Sequence, residues 1–153
     1  MSEVDIDILL VEDSPDDAEL TLHSLRRNNL ANRIHWARDG EEGLEFLFCR
    51  GPFSGRSFQR PPKVVLLDLK LPKVDGLEVL RQLKEDPRTR SIPVVVLTSS
   101  REEADVVRGY RNGANSYVQK PVDFERFREA VRQLGLYWLV TNEPPPEAVF
   151  ARK

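Results

Sequence analysis

The segment Val64-Val-Leu-Leu-Asp-Leu-Lys-Leu-Pro-Lys-Val-Asp-Gly76 (VVLLDLKLPKVDG) decides the fold. Its first four residues are apolar without alternation, the pattern of a strand covered on both faces, and such strands belong to parallel sheets sandwiched by helices. The run then ends in a carboxylate, Asp68, at a place where burial alone would favour an apolar residue. Pro72 and Asp75-Gly76 supply turn chemistry. Leu77, Leu80 and Leu83 follow at helical spacing, and Asp86-Pro87 ends that helix because the residue before a proline avoids helical geometry.

Working outward, the same unit recurs. Ile6–Val11 reads as a strand, Ser14 as a helix N-cap and Pro15 as a first helical residue. Asp16 and Asp17 suit the positive end of that helix's dipole, and Ala18, Leu22 and Leu25 form its apolar face. Arg33–Arg38 is a second strand, after which Asp39-Gly40 caps a helix carrying Leu44, Leu47 and Phe48 inward. Residues Cys49–Lys63 (CRGPFSGRSFQRPPK) have no period and read as a loop, long for a helix-to-strand connection. Ile92–Thr98 is a fourth strand and Glu102–Asn112 a more polar helix. Ser116–Lys120 is a short fifth strand. A last helix begins at an Asp123 cap and carries Phe124, Phe127, Val131, Leu134 and Trp138. Strand and helix thus alternate five times, which predicts an α/β fold with a doubly wound, mainly parallel sheet and helices on both faces.

Composition bounds the function. The 153 residues fit one domain, and 40% hydrophobic with 31% charged residues is ordinary for a globular chain. A net charge of −2 gives no electrostatic footprint for nucleic acid. Cys49 is a single cysteine and cannot close an internal disulfide, no apolar run reaches membrane-span length, and the acidic start MSEVDID is unlike a signal peptide. The expectation is a cytoplasmic domain with no nucleic-acid or membrane partner. Neither histidine has a partner at metal-site spacing.

In an open parallel sheet, ligands sit beyond the carboxyl ends of the strands. Those ends carry Glu12-Asp13, Asp68, Thr98-Ser99 and Lys120-Pro121. Three carboxylates at one edge need a cation or a retained proton, and an all-oxygen set without His or Cys suits Mg2+. Lys120 and Thr98 add an ammonium and a hydroxyl suited to phosphoryl oxygens. With such neighbours Asp68 can act as a nucleophile on phosphorus, giving an aspartyl phosphate.

These residues, in this order, resemble the receiver domain of two-component response regulators over roughly residues 5–141. The long loop before the third strand and the ending Tyr137-Trp-Leu-Val140 are similar to single-domain regulators that partner bacterial phytochromes. The resemblance implies a (βα)5 flavodoxin-like fold with strand order 2-1-3-4-5 and Asp68 as phosphoacceptor. Asp13 would bind Mg2+ directly, Glu12 largely through water, and Lys70 through its backbone carbonyl. Lys120 would pair with the phosphoryl group, preceding a cis bond to Pro121. Thr98 and Tyr117 would be the switch pair, read out on the face of the fourth helix, fifth strand and fifth helix. The implied partner is a sensor histidine kinase, and the narrower resemblance implies a bacteriophytochrome. Lys70, two residues past the nucleophile, is expected to slow hydrolysis by occupying the water's approach.

Each residue also has a plain structural reading. Asp13 could help cap the first helix, Thr98 and Ser99 the fourth; Tyr117 could be an ordinary half-buried aromatic. Their joint placement at one sheet edge favours the chemical reading. An aspartyl-phosphate phosphatase of the haloacid-dehalogenase type would place a second acid where Lys70 stands. A flavodoxin-like cofactor binder would need a Ser/Thr/Gly-rich phosphate loop in place of Glu12-Asp-Ser-Pro15. The remaining alternative is a pseudo-receiver scaffold that never takes a phosphoryl group. Residues 142–153 read as a Pro-rich tail with no effector domain, so output is expected through protein contact: a downstream phosphotransfer protein, or a homodimer formed through Leu136, Tyr137, Trp138 and Val140.

Overall fold

A computed structural model describes residues 6–27, 33–99, 113–114 and 116–135. The expected fourth helix (Glu102–Asn112), the Thr98 side chain, the residues Leu136, Tyr137, Trp138 and Val140, and the tail all lie outside the described residues.

The described elements are β1 (Ile8–Val11), α1 (Pro15–Arg26), β2 (Ile34–Ala37), α2 (Gly40–Leu47), β3 (Val64–Asp68), α3 (Gly76–Glu85), β4 (Val94–Thr98), β5 (Ser116–Gln119) and α4 (Phe124–Gln133). The five strands form one parallel sheet in the order β2-β1-β3-β4-β5, the order the resemblance implies. Alternate residues of each strand feed two cores. Leu9, Val11, Val65, Leu67, Val94 and Val96 pack with α2 and α3, while Ile8, Leu10, Val64, Leu66, Val95 and Leu97 pack with α1 and α4. The apolar runs are therefore unbroken because both faces are covered.

Local sequence sets the helix starts. Ser14, Asp39, Asp75 and Asp123 each accept a backbone N–H of the first turn through the side chain, and Pro15 stands at the first helical position. Strand ends are shorter than the hydrophobic runs suggest. The Ile92 N–H bonds Thr89 in a turn, so β4 begins only at Val94, and β5 stops at Gln119, ahead of the cis Lys120–Pro121 bond.

Two glycines let the β3–α3 connection fold down tightly. A Cβ on Gly76 would lie 2.2 Å from the Asp68 carbonyl oxygen, and one on Gly40 would lie 1.7 Å from that of Val74. Lys73 in the same connection has φ of 67° and pairs with Asp39 and Glu41 of the α2 start, each at 3.4 Å. The loop ending Asp68's strand is thus pinned against two helix starts.

The segment Cys49–Lys63 is a packed structure, not a slack connection. It holds a 3-10 turn at Gly51–Phe53 and lays Phe53 and Phe58 against the α2/α3 core. The Arg56 guanidinium stacks 3.7 Å from the Phe46 ring centroid and donates to the Phe46 carbonyl at 2.5 Å and the Arg60 carbonyl at 3.1 Å. Arg88 covers Phe58 from the α3–β4 turn at 4.2 Å.

Candidate functional site

The site follows from register. Val11 stands beside Leu67, so the next residues, Glu12 and Asp68, end adjacent strands at the same level. Asp68 pairs with Leu97, and Thr98 with Gln119, which puts Lys120 one step beyond. Side chains alternate along a strand, so Glu12, Asp68 and Lys120 project to the face covered by α1 and α4. Glu12 is held at its backbone, where the Trp36 indole N–H donates to its carbonyl at 2.7 Å and its own N–H donates to Ala37 at 3.0 Å. Its carboxylate accepts the Ser14 N–H at 3.1 Å.

Lys120 is the hub. Its Nζ lies 3.0 Å from Asp68 Oδ2, 2.9 Å from Glu12 Oε1 and 3.2 Å from Asp17 Oδ2. The contacts to Asp68 and Asp17 are aligned hydrogen bonds. The Glu12 contact is a close ion pair, and among the described residues the buried Glu12 Oε1 has no further donor. Asp68 is 6% exposed and Glu12 1% exposed, so these charges are largely out of water. Burial, the largest influence, pushes the Glu12 carboxyl up to about 7; Lys120 pulls it back, and the neighbouring Asp68 charge pushes it further up. For Lys120, burial works against the charged form, but contact with Glu12 and Asp68 outweighs it and raises the ammonium above its ordinary value.

Glu12, Asp13 and Asp68 each offer one oxygen, and these three lie within 4.8 Å of one another. Asp13 is the exposed member, facing the solvent from which an ion would come. An all-carboxylate donor set with two buried members fits a hard divalent cation, which would also relieve the repulsion among these acids. Lys70 is exposed, and its N–H donates to Asp68 Oδ1 at 3.3 Å. Tyr117 is 36% exposed, outward on β5. Glu12, Asp13, Asp68 and Lys120 therefore come together as their positions at the strand ends predict. Asp17 joins them without a comparable signal, since a first-turn acid is explained by the helix dipole alone. The only hint is that α1 starts three residues after Glu12.

The fold and the site define a class: a parallel α/β domain whose strand-end acids and lysine can hold a divalent cation and a phosphoryl group side by side. The chain belongs to the response regulator receiver domain family, whose pattern it matches over residues 8–132. It is 46% identical over 141 residues to the probable methanogenesis regulatory protein FilR2 of Methanothrix harundinacea, covering 92% of this chain and 88% of that one. The solved structure of the bacteriophytochrome response regulator AtBRR is 53% identical, with a TM-score of 0.80 and coverage of 90% and 96%. The Mn2+-bound form of response regulator Rcp1 is 35% identical, with a TM-score of 0.70 and coverage of 91% and 97%. Among the described residues, no helix is long and apolar enough to cross a membrane.

Proposed function

We propose that this chain is a phosphorylation-dependent signalling switch that accepts a phosphoryl group on Asp68 from a sensor histidine kinase. The observation that carries this reading is the buried Asp68 carboxylate at a strand end, held at 3.0 Å by Lys120 beside the Glu12–Asp13 pair. An Asp68 oxygen forms the new bond to phosphorus as the donor's P–N bond breaks, and the electron pair leaves with the imidazole, which takes up a proton from water. Lys120 follows the developing charge from the carboxylate to the phosphoryl oxygens. Asp13, Asp68 and the Lys70 carbonyl, with Glu12 through water, would hold Mg2+, which would supply charge neutralisation for the transferring group. Turnover is confined to self-phosphorylation and slow self-hydrolysis.

Output rests on Thr98 and Tyr117. Thr98 is drawn toward the phosphoryl group and Tyr117 moves inward from its exposed position, changing the surface around β5, α4 and the helix expected at Glu102–Asn112. That surface would meet a second copy of the chain or a downstream phosphotransfer protein. The likeness to AtBRR, a bacteriophytochrome response regulator, supports a phytochrome-type kinase as the donor.

Incubation with Mg2+ and acetyl phosphate tests the core of this reading. The expected result is a mass gain of one phosphoryl group, abolished by chelator and by Asp68→Asn. A wild-type chain that gains no mass would instead be a scaffold that signals without phosphorylation.

A further inference from the structure

We propose that Asp17 is a positioning residue that keeps the Lys120 ammonium over the acceptor throughout phosphoryl transfer. The proposal rests on the reading of Asp68 as phosphoacceptor. A lysine ammonium carries three N–H donors, and Lys120 is surrounded by three carboxylates, Glu12, Asp68 and Asp17, at 2.9, 3.0 and 3.2 Å. Two of these partners change during the reaction. Asp68 gives up its charge when its oxygen bonds phosphorus, and Glu12 belongs to the acid cluster that would hold the cation. Asp17 lies outside that cluster and takes no part in bond formation, so it is the partner that remains.

Its mounting suits that task. Asp17 sits in the first turn of α1, its N–H donating to Ser14 Oγ at 3.2 Å, with Pro15 at the helix start. It is therefore carried by a helix that packs Ala18 and Leu25 into the core under the site. The lysine side chain has four rotatable bonds, and a cation on so long a stem is directed only while something fixed holds it. The Asp17 carboxylate is partly exposed, so it can accept from Lys120 at small desolvation cost. The helix dipole explains an acid in this turn but not the choice of residue. Asp16 occupies the same turn and supplies the same dipole charge.

The test compares phosphorylation rates of wild type, Asp17→Ala, Asp17→Asn and Asp16→Ala across acetyl phosphate concentrations at saturating Mg2+, with thermal melts as a folding check. Asp17→Ala is expected to lower the maximal rate about tenfold with little change in the half-saturating donor concentration. Asp17→Asn, which keeps an acceptor oxygen, should recover most of that loss, and Asp16→Ala should match wild type. A wild-type rate in Asp17→Ala overturns the proposal, as does a faster one, which would mean that Asp17 competes with the phosphoryl group for Lys120. Equal slowing by Asp16→Ala, or no recovery in Asp17→Asn, also overturns it by pointing to helix or bulk charge effects. Failure of the wild type itself to take up phosphoryl would remove the phosphoacceptor reading and this role with it.

Discussion

Glu12 is almost fully buried, and burial pushes its carboxyl from 4.5 up to about 7. In the cation-free protein the folded state therefore holds this proton more tightly than the unfolded chain. The stability that Glu12 contributes is fully present below about pH 4.5 and is lost as pH rises through about 7. A divalent ion in this acid cluster is favoured by the ionised form of Glu12, so Mg2+ affinity should weaken as pH falls below about 7, by at most about tenfold per pH unit. Calorimetric titration of Mg2+ between pH 6 and 8 checks this. Glu12→Gln should flatten that pH dependence; an unchanged slope in the variant would assign it to another group. At this scale the sequence was legible where polar residues end apolar strands, because nothing in core packing asks for Glu12, Asp68 or Lys120. Asp17 was not, since its contact with Lys120 spans 103 positions and follows only from how α1 lies across the sheet.

Elements with a period were readable, and those held by aromatic and guanidinium contacts were not. The five strands and the caps Ser14, Asp39, Asp75 and Asp123 follow from hydrophobic runs and capping chemistry. Cys49–Lys63 gave no period because its order comes from Arg56 on Phe46, Arg88 on Phe58 and a 3-10 turn, none of which repeats along the chain. Arg56 joins a ring face and two carbonyls, so Arg56→Ala should cost about 2 kcal/mol, from charged hydrogen bonds and cation–π contact together. Arg56→Lys should not restore it, because an ammonium cannot span a flat ring and two separate acceptors. Denaturant melts would show the loss. Phosphoryl uptake should stay at the wild-type level, because this segment precedes β3 whereas Asp68 ends it.

For the whole molecule, the alternation of strands and helices was enough to predict the doubly wound sheet, and the observed strand order puts β1 and β3, the bearers of Glu12 and Asp68, side by side. The expected association of copies through Leu136, Tyr137, Trp138 and Val140 belongs to this scale too. Sedimentation of the wild type and of a Trp138→Ala, Val140→Ser double variant should give a dimer and a monomer; equal masses would remove the proposed interface. Finally, the ammonium of Lys120, seated among three carboxylates, acts as a counter-ion built into the chain. Because the acids carry their own partial neutralisation, the domain is expected to fold without waiting for a metal, unlike small domains whose structure depends on a bound ion, and a thermal melt unchanged by chelator would check this. Under the proposed Mg2+-dependent phosphoryl transfer, magnesium supply would then govern whether the switch is chemically competent while leaving the amount of intact protein untouched.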